Sequence, residues 1–314
     1  MKKTLKTLAK ICKRVALLCL LVFLFPIFWL FAQLTKGFKT GCIKVENGKV
    51  QVATTHFIHP VTRRRVIFVG VMHIGKKAFY KQIQELIDKY EAQDYRVLYE
   101  GVRHTPEGIP GTYSEKEKQL INQLEMLSGF TKQIACILKL QYQKDGLRYP
   151  GYWFNTDISE YELVRLMVSQ NINLLKDDKP LDSDILAAHR IVRWVCNTFF
   201  AYIVPLAITM DTLAQFSTQK RKLKNIILNH RNAIALEGIK NIGHGYNLIT
   251  IWGAAHYFGI AKGLKKLGYQ EEKKEWFTAY KLRRYRFISC LKRDWSSLAA
   301  SHSGCQIHDT KVVE

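Results

Sequence analysis

The stretch that decides the fold class of this chain is Arg65-Val66-Ile67-Phe68-Val69-Gly70-Val71-Met72-His73-Ile74-Gly75. Its apolar and β-branched residues form an unbroken run of strand length, which is typical of a strand buried on both faces of a parallel sheet. The following residues, 76–90, place Phe79, Ile83 and Ile87 on one helical face. His73 therefore lies where a buried strand turns into a helix, and the carboxyl ends of such strands are where ligands bind.

The same pattern returns near the end of the chain, at residues 247–260, as a strand, a Gly-x-x-His turn at His256 and a helix start. Between the two lies the short strand 95–101, which ends at Glu100. Imidazole and carboxylate groups are the ligand set of catalytic zinc-type sites, which keep one position open for water. Metal-free chemistry, with Glu100 as base and a histidine as acid, is the alternative that this pattern leaves open.

The N-terminal residues predict a membrane anchor. Residues 1–14 are basic and contain no acid, and residues 15–34 carry no charge. That uncharged length matches the hydrocarbon core of a bilayer. Because it is longer than the apolar region of a signal peptide and lacks a good cleavage site, we expect an uncleaved, single-pass transmembrane helix. The basic N-terminus would then be cytoplasmic, and the remaining chain would be periplasmic or extracellular.

The amino-acid composition limits the kinds of molecule that this protein is expected to bind. The chain has 314 residues and a formal net charge of +22, which suits nucleic acid, an anionic membrane surface or an acidic partner. The basic residues are dispersed or lie beside the apolar segment, and no nucleic-acid-binding motif is present, so we expect no nucleic-acid partner. The seven cysteines include no CxxC pair, which disfavours a zinc knuckle.

Domain organisation follows from these segments. We expect an α/β fold with a central mixed or mostly parallel sheet flanked by helices, preceded by the transmembrane helix. The domain should span 43–275, with a helical insertion at about 114–230, and a basic extension and tail should occupy 276–314.

Short sequence patterns predict where one hairpin turn and two helices begin. Asn47-Gly48 predicts a hairpin turn, and the pair Ser114 and Glu117 predicts a capping box. Asp157 and Ser159 are both placed to cap the helix 160–169, and Asp157 also follows an aromatic, strand-like segment, which leaves a role in the site open.

The motifs together resemble those of the TraB/PrgY/GumN family, which includes the Tiki proteases and is related to the ChaN-like and erythromycin-esterase-like proteins. The resemblance covers approximately residues 66–269 and leaves 111–215 without a match. It rests on four motifs in the expected order: Gly70-Val71-Met72-His73-Ile74-Gly75, Tyr99-Glu100-Gly101, Arg231-Asn232 and Gly253-Ala254-Ala255-His256-Tyr257-Phe258-Gly259.

The resemblance implies a site that gathers both histidines and the glutamate. His73 and His256 would carry a divalent metal, Mn²⁺ or Co²⁺ with Zn²⁺ as an alternative, and Glu100 would be a ligand or the general base. Arg231 and Asn232 would line the site, and Arg231 would steady a developing oxyanion.

The implied function is a membrane-anchored, metal-dependent hydrolase, a peptidase that acts on a peptide or secreted protein. In such an enzyme the metal polarises a carbonyl and lowers the pKa of a water molecule. Two other functions stay open. One is a non-catalytic, peptide-sequestering or immunity-type factor, and the other is a ChaN-like metal or haem binder.

Overall fold

The computed structural model describes residues 41–103, 113–172, 174, 218–242 and 245–281. The predicted transmembrane helix, 15–34, lies outside these residues, as does most of the basic C-terminal extension. Within the described ranges, no helix is both long enough and apolar enough to cross a membrane.

Strands and helices alternate along much of the described chain, as expected for an α/β fold. In chain order the elements are β1 (Ile43–Glu46), β2 (Lys49–Ile58), β3 (Arg65–Val71), β4 (Ile74–Gly75), α1 (Lys77–Glu91), β5 (Arg96–Tyr99), α2 (Glu115–Leu138), β6 (Gln141–Tyr142), α3 (Gln143–Gly146), β7 (Phe154–Asn155), α4 (Glu160–Ser169), α5 (Thr218–Lys224), a π-helical turn (Asn225–His230), α6 (Arg231–Ile242), β8 (Leu248–Gly253), a 3₁₀ turn (Ala254–His256), α7 (Tyr257–Lys266) and β9 (Gln270–Lys281).

The central sheet is mixed, with the strand order β1-β2-β3-β8-β5-β7 and with β9 also paired to β2. Strands β3, β8, β5 and β7 run parallel to one another, whereas β1, β2 and β9 pair antiparallel. The prediction of an α/β fold built on a central sheet with flanking helices is therefore confirmed. Because the four parallel strands share one direction, their carboxyl ends meet along one edge of the sheet.

Burial explains why the two longest parallel strands stand at the centre. Nearly every residue of β3 and β8 is buried, so both faces of each strand are covered. Helix α1 contributes Phe79, Ile83 and Ile87 to the same core, as its sequence periodicity predicted. Each such side chain stabilises the fold by about 1.5–3 kcal/mol when fully buried.

The helical insertion forms a second, smaller core from α2, α4 and the π-helical turn. Its buried members include Leu120, Leu163, Met167 and Ile226. The π-helical turn leads directly into α6, whose first two residues are Arg231 and Asn232. Single π-helical turns of this kind occur often at functional sites.

Several predicted boundaries are confirmed. Asn47 and Gly48 have φ of 50° and 68° in the turn between β1 and β2, and Ser114 and Glu117 form the capping box of α2. Strand β9 continues to Lys281, so the described domain extends past residue 275, where the sequence analysis ended it.

Replacement of Gly70 by alanine should destabilise the domain. A methyl group there would lie 2.7 Å from the Ala53 carbonyl oxygen and 2.9 Å from a methyl carbon of Val52. Because the carbonyl belongs to the paired strand β2, it has no rotamer by which to move away. We expect the free energy of unfolding to fall by about 1–3 kcal/mol, measured by urea denaturation.

The control is Gly129→Ala, in the interior of α2, where an added methyl group meets no atom within 4 Å. This change should raise the free energy of unfolding by up to about 1 kcal/mol, because alanine favours helix more than glycine does. Equal effects of the two substitutions would contradict the close approach of β2 and β3 at Gly70.

Candidate active site

The carboxyl edge of the parallel strands gathers polar side chains from separate parts of the chain. Glu100 follows β5, Asp157 follows β7, and His256 lies in the 3₁₀ turn after β8. Helix α6 presents Arg231 and Asn232 to them, and both are buried. The structure therefore brings together four of the five residues that the sequence analysis placed in the site, along with Asp157.

Arg231 joins two carboxylates. Its Nε and Nη2 donate to the two oxygens of Asp157 at 2.8 and 2.6 Å, and Nη2 also donates to Glu100 Oε1 at 2.8 Å. Burial by itself would lower the pKa of Arg231, but its hydrogen bonds and the charges of Asp157 and Glu100 hold that pKa above its usual value. The guanidinium therefore stays charged in the interior.

Asp157 is a member of this ion-paired group, and it does not cap the following helix. Its side chain is fully buried and accepts from the backbone N–H groups of Gly101 and Ile158 at 2.9 and 2.8 Å, besides Arg231. The cap of α4 is Ser159, whose hydroxyl accepts from the Glu162 N–H at 3.2 Å. Of the two predicted caps, Ser159 is confirmed and Asp157 is wrong, since its oxygens are taken by groups of the site.

Glu100 is held as an ionised carboxylate. Its Oε2 accepts from the backbone N–H of Gly253 at 2.5 Å, and its Oε1 accepts from Arg231. Burial alone would raise the pKa of Glu100, but His256, Arg231 and His73 together hold it well below its usual range. Because a carboxylate with a low pKa binds protons weakly, Glu100 is better suited to electrostatic or ligand roles than to general base catalysis.

Asn232 orients the imidazole ring of His256, and one ring nitrogen faces Glu100. Its Nδ1 lies 2.8 Å from Asn232 Oδ1, and its Nε2 lies 3.4 Å from Glu100 Oε1. The ring also packs edge-on against Trp252, with centroids 4.8 Å apart. Since the Asn232 oxygen only accepts hydrogen bonds, Nδ1 carries a proton and Nε2 is the nitrogen that faces Glu100.

The glycines of the second histidine motif make room for this arrangement. A methyl group on Gly259 would lie 2.0 Å from Asn232 Nδ2, and one on Gly253 would lie 3.1 Å from Glu100 Oε2. Larger residues at these positions would displace the two side chains that surround His256. The small residues of the motif are therefore explained by the close approach of side chains of the site.

His73 lies at the end of β3, beside the group but less enclosed. Its side chain is exposed, its charge contributes to the low pKa of Glu100, and its carbonyl accepts from the Gln143 N–H at 2.8 Å. Among the described residues, no three His, Cys, Asp or Glu side chains are arranged as a group that could hold a metal ion.

Asn155 is a residue of the site that no sequence motif predicted. Asn155 Nδ2 donates to the Gly101 carbonyl at 2.7 Å, and its Oδ1 accepts from the Asp157 N–H at 3.0 Å. It thereby fixes the turn after Glu100 to the turn that carries Asp157. The available signal was the aromatic, turn-rich stretch 149–157, whose two-residue strand is too short for a periodic pattern.

Comparison of the chain with models of known protein families gives no match, and comparison with curated proteins gives none either.

Asp157→Ala should strongly destabilise the protein, because it leaves the guanidinium of Arg231 buried beside Glu100 alone. Breaking a buried ion pair from one side reduces the free energy of unfolding by about 3–5 kcal/mol. The measurement is urea denaturation of the purified variant against wild type.

The matched control is Asp88→Ala, which removes a surface ion pair with Arg148 of 2.7 Å. Exposed pairs contribute about 0–1 kcal/mol, so this variant should unfold nearly as wild type does. If both variants lost equally little stability, the central position of Asp157 in the ion-paired group would be refuted.

Proposed function

We propose that this chain is a metal-dependent hydrolase that cleaves a peptide or secreted protein, anchored to a membrane through residues 15–34. The observation that carries the chemistry is the approach of His256 Nε2 to Glu100 Oε1 at 3.4 Å. The peptide substrate, the anchor and a periplasmic or extracellular domain follow from the sequence motifs and the apolar segment.

The close approach of His256 Nε2 and Glu100 Oε1 requires a positive charge between the two atoms. With Nδ1 protonated toward Asn232, a neutral His256 directs the lone pair of Nε2 at a carboxylate oxygen that also carries lone pairs. A proton on Nε2 or a metal cation removes that repulsion. Two donors, each about 2.1 Å from one tetrahedral metal ion, lie roughly 3.4 Å apart, so the spacing fits a shared cation.

His256 and Glu100 would hold the ion. The sequence resemblance adds His73 as a third ligand, although the described residues do not place three such side chains around one point. When bound, the cation supplies a polarised carbonyl and a water of lowered pKa. Of the two roles left open for Glu100, its low pKa favours the ligand over the general base. Asn232 keeps the Nε2 lone pair directed into the site, as partners of metal-bound histidines commonly do.

The hydrogen bonds of Arg231 support the oxyanion-stabilising role that the sequence led us to expect for this residue. Its Nε and Nη2 are engaged by the two carboxylates, whereas Nη1 donates to none of the described residues. The ion pairs hold the guanidinium in place, so Nη1 offers a charged donor whose position is set before substrate binds. A preorganised donor of this kind stabilises negative charge that develops on a carbonyl oxygen.

The first test is metal content and peptide cleavage by the full-length chain, purified in detergent without chelators. Wild type should carry close to one divalent ion per chain after incubation with Mn²⁺, Co²⁺ or Zn²⁺. It should also cleave members of a peptide library. His256→Ala should lose both properties, and Asn232→Ala should bind metal about 10–100-fold more weakly. Metal binding should tighten as pH rises, because it displaces a proton.

His230→Ala is the matched control, since His230 pairs with Glu162 outside the site at 3.0 Å. This variant should keep its metal and its activity. A wild type that takes up no metal would refute the proposal. Peptide binding without cleavage would favour the sequestering factor, and a Soret band after reconstitution would favour a haem binder.

A further inference from the structure

A short ribbon lies against the carboxyl edge of the sheet. Strand β4 follows His73 directly and pairs antiparallel with β6, which is followed directly by Gln143. The Gln143 N–H donates to the His73 carbonyl at 2.8 Å. The ribbon therefore fixes the start of segment 143–149 beside the strand end that carries His73.

Gln143 in turn holds Tyr149. The Gln143 side chain is buried, and its Nε2 donates to the Tyr149 hydroxyl oxygen at 3.1 Å. Its carboxamide oxygen has no hydrogen-bond partner among the described residues, so its side-chain hydrogen bonding there is confined to Tyr149. The Tyr149 ring packs against Tyr99 and Trp153, with centroids 5.2 and 6.0 Å away. Tyr99 immediately precedes Glu100, so the Tyr149 ring is held beside the end of β5 that carries Glu100.

The phenol of Tyr149 keeps a proton to donate. Because its oxygen accepts from Gln143, its own O–H is directed elsewhere, and it meets no acceptor within the described part of the chain. Burial raises the pKa of Tyr149 to about 12, the Gln143 hydrogen bond opposes that rise, and the charge of Glu100 adds to it. The Tyr149 phenol is therefore a neutral hydrogen-bond donor at physiological pH, and it interacts electrostatically with Glu100.

We propose that Tyr149 is a further catalytic residue of this site, which donates a hydrogen bond to the carbonyl oxygen of the scissile peptide group, and that Gln143 is its positioning residue. The inference rests on the proposed hydrolase function and deepens it. The phenol keeps its proton throughout and would supply a second donor in addition to Arg231 Nη1. Two donors to one oxygen form the usual arrangement for stabilising a tetrahedral oxyanion.

The test is Tyr149→Phe in the full-length protein, assayed on a peptide that wild type cleaves. This change removes one oxygen and keeps the ring packing. Loss of one oxyanion donor lowers kcat by about 10²–10³-fold, and KM should stay within roughly threefold because the contact strengthens in the transition state. The variant leaves the buried Gln143 amide without its acceptor, so its thermal unfolding midpoint should fall slightly while the protein stays folded at the assay temperature. A loss in kcat without a matching change in KM separates the catalytic role from this structural effect.

Two further variants sharpen the result. Tyr152→Phe is the matched control, since Tyr152 lies in the same segment with 68% of its surface exposed, and its activity should equal that of wild type. Gln143→Ala should lower kcat in the wild-type background and add little to Tyr149→Phe, because it acts through Tyr149.

Different results would overturn the role of Tyr149 and the proposed hydrolase function. If wild type cleaves a peptide and Tyr149→Phe matches Tyr152→Phe, the inference fails and the proposed function stands. A loss confined to KM would also overturn the inference, since it would indicate uniform binding. A wild type that cleaves no peptide would overturn the proposed function, and the catalytic role of Tyr149 with it.

Discussion

The buried guanidinium of Arg231 is the constraint on which the arrangement of the site depends. Removing a charge from water costs several kcal/mol, and close ionic hydrogen bonds must offset that cost. Arg231 meets this condition through Asp157 and Glu100, which follow two different strands. The contact thereby fixes helix α6 against the ends of β5 and β7. Asn232, the next residue of α6, is placed by the same contact, and it sets the orientation of His256.

A second consequence concerns the electrostatic state of the site. Two carboxylates and one guanidinium leave one negative charge in a buried group, which attracts a cation or a proton to Glu100. His256 Nε2 lies 3.4 Å from Glu100 Oε1. Burial raises the pKa of Tyr149 and the charge of Glu100 adds to that rise, so a protonated phenol lies in the field of an ionised carboxylate. A set of neighbours with opposite protonation preferences is a common property of catalytic sites.

Much of the fold could be predicted from the sequence because its signals are local. The apolar runs of β3 and β8, the Asn47-Gly48 turn and the capping box at Ser114 each depend on neighbours along the chain. The two histidine turns and Glu100 were found for the same reason. For Asp157 the sequence left two interpretations open, a helix cap and a role in the site, because its partner Arg231 is 74 residues away. Tyr149 and Asn155 follow no periodic pattern, and only tertiary contacts assign them.

The strand order has a consequence for folding of the newly made chain. Strand β8 lies between β3 and β5, although it is synthesised long after both. Until it emerges, β3 and β5 have no shared neighbour, and each presents an unpaired apolar edge of the kind that promotes aggregation. Insertion of β8 closes both edges and delivers His256 in the same event. Assembly of the site is therefore coupled to the insertion of β8, so a chain in which β8 has not yet been inserted would lack a complete site.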